Sequence, residues 1–298
     1  MNRDRGFTLI ELLVSIALFG LLLGLTYRAL ADVTGINADQ TAAARVQGKL
    51  RLASEVIAQE LRQGVFGAVI DTPVASGNDA FSIALIDGVS GYAVAEPPRN
   101  FRRRKGVDVV VPVARAAQTG FRRGDRALLV NASGDALLFT VTGVRAVESG
   151  RWTVKHRDCT NGMDYTPGTL LFRVRALGVA PGARLDARLD PDTLYLVYED
   201  RLEPLAFDVD RFEVHYVYRD AAGGEVTDPT TAAGYSDDYP APVLTSSSGR
   251  SYTLARLSLR LSAADRARGR EVRRTLVEGV ELANNGTYRI RRLQVCGE

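Results

Sequence analysis

Cysteine, histidine, lysine and tryptophan are all scarce in this 298-residue chain. The two cysteines, Cys159 and Cys296, stand 137 positions apart and form no C-x-x-C pair, which excludes zinc-ribbon and thioredoxin-like sites. Their spacing leaves two readings open: one long-range disulfide if the chain is exported, or two unpaired thiols. The two histidines, His156 and His215, lie in unlike contexts far from each other, and each is expected to be an ordinary surface or hydrogen-bonded side chain. There is no Walker loop, no G-x-G-x-x-G and no H-E-x-x-H. Asp158, Asn161 and Asp164 carry oxygen donors, as do Asp237 and Asp238, but neither group has EF-hand spacing. The expectation is therefore a protein that is not an enzyme, with no metal and no cofactor. Only three of the 38 basic residues are lysine, and net charge is +3, too small to mark a nucleic-acid binder. The arginine bias fits a GC-rich coding sequence and carries no functional weight. Hydrophobic residues at 46% and charged residues at 24% exclude a disordered chain and a collagen-like repeat. A single long apolar run excludes a multi-pass membrane protein.

That run is what the sequence does contain. From Phe7 to Tyr27 the only charge is Glu11. As a helix these residues span ~30 Å, one bilayer core. Arg3 and Arg5 precede them, which places the N-terminus in the cytoplasm. A secretory signal peptide has an apolar core of only ~7–15 residues and a small-residue cleavage site after it. Here the run is longer and ends in Thr26, Tyr27 and Arg28, so it is expected to stay as an anchor. Glu11 is the anomaly, because a carboxyl within an apolar helix costs about 2.5–3.5 kcal/mol near the bilayer centre and less toward an end. Such a residue calls for a partner.

Gly6-Phe7-Thr8-Leu9-Ile10-Glu11 resembles the cleavage site of type IV prepilins and pseudopilins: a short basic leader ending in Gly, then Phe, three residues, Glu and an apolar helix. The resemblance implies removal of residues 1–6 by a prepilin peptidase, with cleavage between Gly6 and Phe7 and N-methylation of Phe7. Gly6 suits a protease site because a residue without a side chain admits the backbone closely. The resemblance also implies a partner for Glu11, the new ammonium at Phe7 of a neighbouring subunit. In a dry helix bundle such a pair answers two buried-charge costs and sets register. Gly20 and Gly24 within the helix suit close helix packing, or, by the resemblance, local unwinding on assembly. The implied partners are the peptidase, other major and minor pilins or pseudopilins, and an inner-membrane assembly platform. The implied location is the inner membrane, single-pass, with the globular part outside the cytoplasm, and then a cell-surface pilus or periplasmic pseudopilus.

The helix is expected to run over 7–64, with 7–27 in the membrane. Ile36, Ala43, Leu50 and Ile57 recur every seven residues, and Val46, Ala53 and Leu61 join the same stripe. Gly35 is a candidate bend and Gly64 a candidate stop. Residues 65–298 then read as one antiparallel β-rich domain, giving an α+β fold with a helical spine packed on a sheet. Expected strands cover Val107–Val113, Arg126–Val130, Leu137–Val147, Trp152–Lys155, Thr169–Leu177, Thr193–Tyr198, Arg211–Tyr218, Tyr252–Leu261 and Thr287–Val295. Leu171 to Ala176 alternates apolar with polar residues. Turn signals stand at Ser133-Gly134-Asp135, Asn161-Gly162, Ala221 to Gly224 and Asn284-Asn285-Gly286. Glu96–Lys105 and Thr227–Arg250 read as surface loops.

Size, Glu60 to Gln63 at the end of the helix, and the segments Phe212 to Tyr216 and Leu254 to Leu259 resemble large PilW-type minor pilins and J-type minor pseudopilins of type II secretion. The resemblance implies a minor subunit that takes part in filament assembly or priming. Arg102, Arg103, Arg104 and Lys105 form the densest basic run; Arg122 and Arg123 form a second. Arg266, Arg268, Arg270, Arg273 and Arg274 crowd the tail. With Phe101 or Phe121 such a patch could track phosphates, so a pilus-displayed receptor for DNA or for a surface is the alternative reading.

Overall fold

A computed structural model describes residues 9–87, 92–94, 109–113, 119–148, 150–156, 168–198, 201–267, 270–282 and 290–296. Its first element, α1 (Leu9–Arg62), is a 54-residue helix, ~81 Å long at 1.5 Å per residue. It is helical throughout Gly20, Gly24 and Gly35. The strands that follow are β1 (Gly64–Ile70), β2 (Phe81–Ile86), β3 (Tyr92–Ala93), β4 (Val109–Val111), β5 (Arg126–Val130), β6 (Asp135–Thr140), β7 (Gly143–Glu148), β8 (Arg151–Lys155) and β9 (Leu170–Pro181). A short helix, α2 (Gly182–Leu185), leads to β10 (Leu194–Tyr198), β11 (Leu202–Ala206), β12 (Val209–Asp220), β13 (Glu225–Thr227), β14 (Val243–Thr245), β15 (Ser251–Ala267), β16 (Arg270–Glu281) and β17 (Arg292–Val295).

Three sheets result. The largest runs β1-β2-β9-β5-β6-β17, with β3 and β10 also on β9 and β11 on β10. The second runs β13-β12-β15-β14, with β16 also on β15, and the third runs β4-β8-β7. Among the described residues all strand pairings are antiparallel but one: β17 lies parallel to β6, with Leu293 opposite Ala136. A parallel partner needs a long crossover, and the chain supplies one, since 151 positions separate β6 from β17.

The main core lies where α1 and the first two sheets meet. Val46, Leu50, Ile57 and Leu61 of α1 pack with Phe81, Ile83 and Leu177 of the large sheet and with Val214, Leu257 and Leu259 of the second. Burying a side chain of this size contributes about 1.5–3 kcal/mol, whereas an exposed ion pair contributes about 0–1. Apolar contact therefore holds the spine, although Lys49–Asp208 at 2.8 Å and Arg175–Glu60 at 3.0 Å flank it. Gly64 marks the tightest point of this joint. A Cβ there would stand 2.6 Å from Ile83 Cδ1 and 2.9 Å from the Leu61 carbonyl oxygen.

Both faces of β5 and β6 are covered. Ala127, Leu129, Leu137 and Phe139 join a core with β4 and β8, while Leu128, Val130, Ala136 and Leu138 join another with Phe172 and Ile290. That explains why these strands read as unbroken apolar runs. The predicted strand Leu137–Val147 proves to be two strands. Val141 N–H donates to the Asp125 carbonyl and Thr142 N–H to the Lys155 carbonyl, so the chain passes from the first sheet to the third between those residues. The stripe on α1 starts later than expected: Ile36 is 55% exposed. Thr227–Arg250 is not plain loop, because it holds β14 and a single 3-10 turn at Thr231–Ala233. The arginine-rich tail from Arg266 to Arg274 belongs to the β15–β16 hairpin. The loop Glu96–Lys105 and the turn signals at Asn161 and Asn284 lie outside the described residues.

Candidate functional site: the N-terminal helix

α1 is two helices in one. From Ala42 onward nine residues are buried. Before it, over Leu9–Thr41, none is. Leu9 is 77% exposed and Phe19 63%, and the same holds around the whole circumference. Over Leu9–Tyr27, where Glu11 is the sole charge and every described residue is exposed, a helix apolar on every side needs a lipid or protein surround. Its length and composition suffice to cross a membrane.

The polar groups of this half are handled locally. Ser15 Oγ donates to the Glu11 carbonyl oxygen at 2.7 Å, and Thr26 Oγ1 to that of Leu22 at 2.8 Å. Both hydroxyls are thus satisfied by the helix backbone, as an apolar surround demands. Glu11 stands in the first described turn with its side chain exposed, and it is the only charge between Leu9 and Tyr27. A Cβ added at Gly20 or Gly24 would meet nothing within 4 Å. Their small size is thus not used within the chain and stays available for a neighbour.

The other half of α1 is fastened to the second sheet. Ser54 Oγ donates to the Glu278 carboxylate, Arg45 pairs with Asp265 at 3.7 Å, and Lys49 Nζ donates to the Phe207 carbonyl at 2.9 Å as well as to Asp208. No local pattern signals the Glu278 and Asp265 contacts. They sit more than 200 positions from their partners.

The remaining candidates separate. Gly6, Phe7, Arg102, Arg103, Arg104 and Lys105 lie outside the described residues. Cys296 is disulfide-bonded; Cys159, the chain's other cysteine, lies outside the described residues, as do Asp158, Asn161 and Asp164. His215 Nδ1 is 2.7 Å from Asp228 Oδ2, while Asp228 Oδ1 accepts the Tyr216 N–H. His156 is buried with its ring 4.7 Å from that of Phe139. Asp238 Oδ1 accepts from the N–H and hydroxyl of Thr231. Among the described residues no group of three or more His, Cys, Asp or Glu is placed to hold a metal.

Residues 1–27 match the family model of the prokaryotic N-terminal methylation motif. No curated protein and no solved structure matches the chain. The matched segment runs from the basic leader through Glu11 to the end of the uncovered apolar helix, so signal and anchor coincide. The motif is the signal that prepilin peptidase processes, and the helix behind it anchors the chain in the inner membrane as a single pass. Residues 1–27 thus carry the N-terminal methylation motif that type IV prepilins and pseudopilins bear.

Proposed function

We propose that this protein is a minor subunit of a type IV pilus or of a type II secretion pseudopilus, with a structural and not a catalytic role. One observation supports this reading above the rest. The apolar half of α1 is uncovered on all sides, while the half behind it is locked to two sheets. Such a chain carries a rigid handle that lipid covers before assembly and other subunits' helices cover afterwards. Glu11, near the start of the handle, would meet the methylated ammonium of Phe7 from the adjacent subunit. Before processing, the leader faces the cytoplasm and the β-rich part stands outside it.

The test is the intact N-terminal mass of the protein from native membranes, with and without the prepilin peptidase. A chain beginning at N-methylated Phe7, and at Met1 when the peptidase is deleted, is the expected result. A chain that begins at Met1 in both strains, or that is cut after the apolar run, overturns the proposal.

A further inference from the structure

The β15–β16 hairpin runs back along α1 toward the membrane. Ser54 of the helix meets Glu278, and Arg45 meets Asp265. Asp265 lies opposite Val272, six residues along β16 from Glu278. The end of the hairpin, where Ala267 faces Arg270, reaches the level of Ile36 and Ala43, which share a surface hollow with Arg270 and Arg274. Those helix positions lie roughly 14–24 Å beyond Tyr27 along the axis. The headgroup layer takes up the first ~5–8 Å of that distance, and the Debye length covers about 8–10 Å more. The tilt of about 20° usual for single spans brings one side of the helix closer still.

The charges at this end of the hairpin are unequal. Arg273 is held by Asp210 at 2.9 Å and by Glu271 at 2.7 Å, and Asp265 is engaged by Arg45. Asp39 faces the hollow from the helix. Arg266, Arg270 and Arg274 are exposed and have no ion pair among the described residues. Arg266 and Arg270 stand on opposite faces at the turn of the hairpin, and Arg274 follows four residues along β16 on the face of Arg270. Arginines flanking a span usually mark the cytoplasmic side, but that bias applies to residues within ~15–20 positions of the span and not to a long translocated domain. These are more than 200 positions away in sequence and come to the membrane only through the fold.

We propose that the end of the β15–β16 hairpin, through Arg266, Arg270 and Arg274, docks on anionic phospholipid headgroups of the outer leaflet of the inner membrane. It thereby fixes the tilt of α1 and the orientation of the β-rich part before assembly. This inference rests on the membrane-anchor reading of α1. Each arginine near an anionic surface favours docking about fivefold.

The experiment uses the full chain in nanodiscs of phosphatidylcholine, with or without phosphatidylglycerol, read by hydrogen–deuterium exchange. Flotation with the discs and protection of residues 9–27 in both lipids verify the anchor. The expected result is that amides of residues 264–276 exchange at least fivefold more slowly with phosphatidylglycerol present. Strong salt removes that difference, as does the variant R266Q/R270Q/R274Q. Equal exchange in the two lipids, with flotation intact, overturns the docking while sparing the anchor. A chain that does not float overturns both. Protection that depends on several copies sharing a disc, whatever the lipid charge, assigns the arginines to a neighbouring subunit and overturns the lipid proposal.

Discussion

Glu11 is the residue whose replacement should separate processing from assembly. The peptidase must admit Gly6 and Phe7, five and four positions before it, whereas the carboxylate is needed only once a neighbouring ammonium arrives. Breaking a buried charge pair by removing one partner costs about 3–5 kcal/mol, because the other charge is left uncompensated. Glu11→Val should therefore be cleaved and methylated like wild type but should enter filaments at least a hundredfold less, measured by immunoblot of sheared filaments against membranes. Wild-type incorporation of that variant would remove Glu11 from the assembly step. A second residue-scale prediction concerns the core phenols. Burial pushes the ionisations of Tyr216 and Tyr218 well above the ordinary 10.0, and both hydroxyls donate to carbonyls, of Gly77 at 3.2 Å and Ala241 at 2.7 Å. Each phenol is neutral when folded and ionises near pH 10 when unfolded. Their contribution is therefore complete below pH 10 and is lost as pH rises above it, by about 1.4 kcal/mol per pH unit for each group. Urea denaturation of the full chain in detergent should steepen in pH dependence above 10. The Y216F/Y218F variant, weaker by about 1–3 kcal/mol at pH 7 from its lost hydrogen bonds, should show that alkaline loss much reduced.

At the scale of elements, the seam between α1 and the sheets decides stability. Ile57→Ala removes a fully buried side chain and should cost about 2–5 kcal/mol, whereas Lys49→Ala, whose partner Asp208 is 71% exposed, should cost under about 1. Gly64→Ala should cost about 1–3 kcal/mol by overpacking, since the Leu61 carbonyl at 2.9 Å is backbone and cannot swing aside. Gly20→Ala should leave the isolated chain unharmed. Chemical denaturation in detergent ranks all four, and a Lys49→Ala loss equal to that of Ile57→Ala would contradict the ranking. The same seam shows what a sequence can and cannot disclose. The stripe from Val46 to Leu61 was legible because one face of one helix repeats locally. Leu171 to Ala176 was legible because Arg173 and Arg175 are half-exposed between buried neighbours. β16 was not, because Arg270, Arg274 and Glu278 share the phase of Val272, Leu276 and Val280, and the partner of Glu278, Ser54, is on a helix more than 200 positions upstream. β1 was hidden for a related reason, as it begins at the glycine that ends the helix. The processing signal, by contrast, is contiguous and needs no fold to be read.

For the molecule as a whole, the chain's end is returned to its middle. β17 is four residues long and, among the described strands, sits at the edge of the large sheet and pairs with β6 alone. Just after it Cys296 donates its N–H to the Leu138 carbonyl at 2.8 Å, packs on the core shared by β4, β5 and β6, and is disulfide-bonded. A parallel four-residue edge strand is a weak element by itself, so the covalent link is what holds it in register. With Cys159 as the partner that the sequence offers, such a bond would close 137 positions and restrict the unfolded chain by about 4–5 kcal/mol on the chain-entropy model. Cys296→Ser should therefore lower stability by about 2–5 kcal/mol. Amide protection should be lost first at Arg292–Val295 and Leu138, while the seam between α1 and the second sheet, which contains neither cysteine, stays protected. Processing at Gly6 should proceed unchanged, because the signal lies at the other end of the chain and is read in the membrane. The measurement is hydrogen exchange on the full chain in detergent, with and without reductant, beside the N-terminal mass of the variant from membranes. If reduction loosened the Ser54–Glu278 seam as early as β17, the two halves of the molecule would form one cooperative unit, and the disulfide would act on the spine itself and not on the edge it closes.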